Sequence, residues 1–138
     1  MCSSFVGTVV QEQSAPIKND CPAIWAMVID DVKSSYTLHP AQKVALKDMQ
    51  DRDDLGMQRY GTRLQPFNGR NALIDALQEF YDGAVYLKQQ LYELQQDRNN
   101  GKTGPISDRF VPLEAMYWKH LDNLLNLRQY CTMVGIIK

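Results

Sequence analysis

From Asn68 to Asp97 the chain carries Leu73, Ile74, Leu77, Phe80, Tyr81, Ala84, Val85, Leu87, Leu91 and Leu94 at spacings that cover more than one helical face. A continuous helix of this length runs about 45 Å at 1.5 Å per residue. A helix that is apolar on two sides must be covered on two sides, in the centre of a bundle or between subunits. This stretch commits the chain to packing helices against helices.

The flanking segments read the same way. Asp20-Cys21-Pro22 starts a first helix, with proline in its first turn and Ile24, Met27, Val28 and Val32 as its apolar stripe. Ser34-Ser35-Tyr36-Thr37 breaks it, and Thr37-Leu38-His39-Pro40 starts a second helix facing inward through Val44, Leu46, Met49 and Leu55. Gly61 ends that helix, and Gln65-Pro66 favours an extended loop. Asn68 is the expected cap of the long helix. Asn99-Asn100-Gly101 and Gly104-Pro105 mark the next loop, and a last helix from about Pro112 carries Leu113, Met116, Tyr117, Leu121, Leu124, Leu127 and Cys131. The expected fold is all-α, an antiparallel four-helix bundle over residues 20–138, with residues 1–19 as a short irregular N-terminal arm and Phe5 to Val10 its one β-prone run.

Composition narrows the function classes. A net charge of -1 with 22% charged residues offers no general attraction to nucleic acid, so phosphate recognition must be local. Cys2, Cys21 and Cys131 lack CxxC spacing and nearby histidines, which argues against a zinc site or a disulfide framework. No run approaches a membrane span and the first ten residues lack a signal-peptide pattern, so the expectation is a cytoplasmic protein with no membrane partner. The apolar end Met133-Val134-Gly135-Ile136-Ile137 is expected to cover a partner subunit, making a homo-oligomer.

Charge is concentrated between Asp48 and Tyr86. Asp75, Glu79, Asp82 and Tyr86 fall at i, i+4, i+7 and i+11, on one helical stripe. On the preceding helix Asp48 and Asp51 share a face, with Asp53 and Asp54 close by. Two acid pairs on facing helices can gather oxygen ligands for Mg²⁺, with Asp51, Glu79 and Asp82 as the metal set and Asp75 orienting them. The intervening loop supplies Arg59, Arg63 and Arg70, whose guanidinium forks match phosphate oxygens. Asn68-Gly69-Arg70 precedes a helix whose free N–H groups favour an anion. Tyr60 and Phe67 can stack on a base, and Trp25 can line the same pocket. The competing reading makes the acids a solvated face and pairs the arginines with Asp75, Glu79 and Asp82. With only His39 and His120, a nucleophilic triad has little support.

The run Arg52-Asp53, Arg59-Tyr60-Gly61-Thr62, Leu64-Gln65-Pro66, Asn68-Gly69-Arg70, and Asp75 through Glu79-x-x-Asp82 to Tyr86-Leu87 resembles small phage-encoded helical proteins related to the MazG-like nucleotide pyrophosphatases. The resemblance covers about residues 40 to 95. It implies an all-α, oligomeric protein in which acids on neighbouring helices hold Mg²⁺ while water cleaves an α–β phosphoanhydride. Glu79 and Asp82 match the family's second acidic pair. The first departs, because Asp48-x-x-Asp51 or Asp51-x-x-Asp54 stands where the family has Glu-x-x-Glu. Three functions follow as expectations: a Mg²⁺-dependent nucleotide pyrophosphohydrolase, a non-catalytic sponge for a linear or cyclic nucleotide immune signal, and a structural oligomeric helper.

Overall fold

The computed structural model describes residues 7–102 and 106–138, with the side chains of 106–108 set aside. Met1 to Val6 and Gly104-Pro105 lie outside the described residues, and with them Cys2 and the first two residues of the β-prone run. Among the described residues four helices form: α1 (Ile24–Ser35), α2 (Pro40–Tyr60), α3 (Ala72–Asn99) and α4 (Ile106–Met133). The protein is all-α, as the periodicity requires. Among the described residues there is no strand, only one isolated parallel bridge between Gly7 and Ile137. Cys21 and Cys131 are free thiols, and among the described residues no helix is long and apolar enough to cross a membrane.

The chain divides into two compact units. The first comprises residues up to Glu12 and Asn71–Lys138, and the second Gln13–Arg70. Residues of the expected arm are therefore shared between both.

In the first unit α3 packs on α4. Leu77, Phe80, Ala84, Leu87, Leu91 and Leu94 recur at alternating steps of three and four along α3, and Phe110, Leu113, Tyr117, His120, Leu124, Leu127 and Cys131 do so along α4. Every one is buried or half-buried. This is the seven-residue repeat of a coiled-coil seam. The pair is antiparallel: Phe80 stacks on His120 with ring centroids 4.9 Å apart, while Ile74 and Leu77 share one core cluster with Leu124, Cys131 and Ile137. Gly83 admits the His120 ring, since a Cβ there would lie 2.9 Å from His120 Cε1.

Both ends of the chain close this core. Gly7 donates to the Ile136 carbonyl at 2.8 Å. The Gln78 amide donates to the carbonyls of Val9 and Gln11 at 3.0 and 2.8 Å. Ile137 is buried within the chain's own core cluster, so this part of the apolar terminus does not wait for another subunit.

Several expected boundaries move. The cap of α3 is Asn71, whose side chain accepts from the Leu73 and Ile74 N–H groups. Asn68 makes a local turn instead, accepting from the Arg70 N–H. α4 begins at Ile106 and runs through Pro112. A proline inside a helix costs about 3 kcal/mol, and the seam that already includes Phe110 overrides it. α1 begins at Ile24 because Asn19 and Cys21 spend their backbone groups on the loop after α2. Met27, Val28, Val44 and Met116, expected inside, are exposed.

The second unit pairs α1 with α2. His39 precedes α2 and Pro40 opens it, with the Gln42 side chain accepting from the His39 N–H at 2.9 Å. Gly61 ends it at φ 68°, a left-handed position where a glycine carries no Cβ penalty.

Candidate functional site

Residues 13–24 run beside the loop that follows α2 and tie it down. Asn19 and Gln65 form the knot. The Asn19 N–H donates to Gln65 Oε1 at 3.0 Å, and the Gln65 amide donates to the carbonyls of Asn19 and Cys21 at 2.8 and 2.7 Å. Thr62 Oγ1 is 3.2 Å from the same Gln65 oxygen. Asn19 Nδ2 then donates onward to the carbonyls of Pro66 and Phe67, at 2.8 and 3.2 Å. Two backbone bonds of 2.9 Å, Ile17 N–H to Asn68 carbonyl and Ile24 N–H to Leu64 carbonyl, bracket the network. Thr62 and Asn68 are buried as a result.

This rigid frame holds one residue against its preferences. Phe67 has φ 55°, the only positive value at a non-glycine among the described residues. It follows Pro66, and proline followed by a left-handed residue is the order of a type II turn, whose third position ordinarily takes Gly or Asn. A left-handed backbone costs an L-residue with a Cβ about 1–2 kcal/mol. Phe67 is also 92% exposed, so no burial of its ring offsets that cost.

The arginines divide by role. Arg63 Nη1 lies 2.5 Å from Asp53 Oδ2 and 3.1 Å from Asp54 Oδ1. The hydrogen bond to Asp54, followed by the charge of Asp53, raises the guanidinium pKa above its ordinary value. Asp53 is the one buried residue of α2, at 6% exposure, and its Oδ1 has no donor. Arg70 Nη1 donates to the Ser14 and Gln13 carbonyls at 2.7 and 3.3 Å, binding the strap to the loop. Arg59, in the last turn of α2, is exposed and makes no ion pair or hydrogen bond among the described residues. Tyr60 beside it is exposed, and Trp25 on α1 is half-buried.

The acids are also placed. Asp51 is held by Lys47 at 2.7 Å on the surface of α2. Asp75 lies in the first turn of α3, half-buried. Glu79, Asp82 and Tyr86 are exposed farther along the same helix. Glu79 and Asp82 line an open groove of about 470 Å³ with Glu12, Gln78 and Tyr81. Among the described residues no three His, Cys, Asp or Glu side chains converge as metal ligands.

Sequence reasoning missed Asn19, the burial of Asp53 against Arg63 and the clamping role of Gln65. Asn19 and Gln65 are 46 positions apart and carry no local signal. Asp53 had one: its pairing with Arg63, ten positions on across the Gly61 turn, is the kind of contact a helix end followed by a short return permits.

The class so defined is an all-α protein with a hydrogen-bonded loop that presents an aromatic side chain to solvent. Comparison with protein-family models, curated proteins and solved structures found no match.

Proposed function

We propose that this chain is a nucleotide-binding protein that acts by holding its ligand, with Phe67 and Tyr60 as stacking surfaces and Arg59 as the phosphate contact. The observation that carries the reading is Phe67, an exposed aromatic in a strained conformation on a loop tied down by Asn19, Gln65 and Ile17. Backbone strain is retained where function requires it. An aromatic platform contributes about 1–3 kcal/mol per stacked base, which offsets the cost only in the bound state. The resemblance to MazG-like proteins favours a nucleotide over other flat ligands, and the shortened first acid pair, Asp48-x-x-Asp51, favours a phage sponge for a linear or cyclic nucleotide signal over hydrolysis.

The test is a thermal-shift panel of linear and cyclic nucleotides, with and without Mg²⁺, followed by recovery of ligand from heat-denatured protein. A ligand that binds only the folded state raises its stability. The reading expects a shift without Mg²⁺ and intact released nucleotide. Hydrolysed product would favour the pyrophosphohydrolase, and no shift with any nucleotide would favour the structural helper.

A further inference from the structure

The α3–α4 pair has a second seam. Beside the buried repeat, Tyr81, Val85, Lys88, Tyr92 and Gln95 follow one another on α3 at steps of four and three. Val111, Glu114, Trp118, Leu121 and Leu125 do the same on α4. In an antiparallel pair the corresponding flanking positions of both helices come to the same side, and here they do. One groove of about 500 Å³ is lined by Val85, Lys88, Tyr92 and Tyr117, and the next, of about 240 Å³, by Lys88, Tyr92, Gln95, Glu114 and Trp118. Val85, Tyr92, Val111, Trp118 and Leu125 are all well exposed. Aromatic side chains of this kind carry roughly 150–250 Å² each, so the strip reaches the several hundred Å² that marks an interaction surface.

We infer that this face binds the same face of a second copy of the chain, forming a two-fold, four-helix interface from two α3–α4 pairs. The spacing specifies the occupant. Apolar side chains repeated every seven residues receive knobs from another helix of the same repeat, packed at about 20°. Within this chain α1 spans 12 residues, too short to match, and α2 carries Lys47, Asp48, Asp51, Arg52 and Asp54 where such a stripe would run. Only α3 and α4 bear a stripe of the required length. Charge agrees: the groove holds one cation, Lys88, and one anion, Glu114, so two identical faces meet with opposite signs available, whereas a groove of single sign would repel its copy. The inference is independent of the loop reading.

Sedimentation equilibrium of the full chain tests it, alongside Val85→Glu/Leu125→Glu and, separately, Tyr92→Lys. All three sites flank the buried seam, so helical circular dichroism should persist in both variants. The expected result is twice the 15.8 kDa chain mass for the parent and at least a tenfold weaker association in each variant. A monomeric parent mass at every concentration overturns the proposal. Unchanged association in both folded variants overturns it too.

Discussion

His120 Nε2 lies 2.7 Å from the carbonyl oxygen of Phe80, and because a carbonyl only accepts, the ring must carry its proton on that nitrogen. The bond fixes the imidazole directly over Gly83, leaving no room for a methyl group.

Gly83→Ala should therefore destabilise the chain despite alanine's better helix propensity. The propensity gain is about 1 kcal/mol, and overpacking against a tethered ring costs roughly 1–3 kcal/mol. In a His120→Ala background the obstacle is gone and the same substitution should stabilise. Denaturant unfolding of the four proteins measures the coupling, and additive effects would show that the ring does not occlude Gly83.

Arg63 and Arg59 should separate cleanly on substitution. Arg63→Ala leaves Asp53 buried without its cation, and an uncompensated buried charge is strongly destabilising. Arg59→Ala removes no partner, so it should leave the melting temperature unchanged while weakening ligand binding. A comparable loss of stability in both variants would contradict the division of roles.

Gln65→Ala removes hydrogen bonds to Asn19, Cys21 and Thr62 together. At about 1 kcal/mol net for each of the four bonds lost, the unit built on α1 and α2 should lose stability by roughly 4 kcal/mol. Amide exchange at Asn19 and Ile17 reports on the strap directly. Protection as strong as in the parent would mean that Gln65 is not the clamp.

Lys47 is raised above its ordinary value of 10.5 by the hydrogen bond it donates to Asp51 and then by the charge of Asp51. A cation raised on folding contributes stability that is complete below its unfolded pKa and is lost as pH rises through the folded one. The small stability difference between parent and Lys47→Met should therefore be flat at neutral pH and vanish in alkali above about 10.5. A difference that persists there would assign the effect to packing instead.

What local chemistry controls was legible in the sequence. Pro40 and Gly61 delimit α2, and the spacing of Leu77, Leu91 and Leu94 defines the long helix. Asn68 and Asn71 both precede that helix within four positions, and propensity alone cannot choose between them. The choice is made by Ile17, whose N–H takes the Asn68 carbonyl into the strap. Pro112 misled for a related reason, since a proline that opens a helix and one tolerated inside it look alike until the partner helix is known. Within the candidate site, the exposed aromatics and arginines were visible. Which arginines were already engaged depended on Asp53 and on the carbonyls of Gln13 and Ser14.

On the proposed function, the loop holds Phe67 in a costly conformation for the sake of a ligand. Phe67→Asn tests it most directly, because asparagine accepts a left-handed backbone but offers no stacking ring. Thermal unfolding and nucleotide titration of the same preparation should show a variant about 1 kcal/mol more stable than the parent with ligand affinity reduced at least tenfold. Unchanged affinity, or a variant that is both less stable and equally competent to bind, would contradict it.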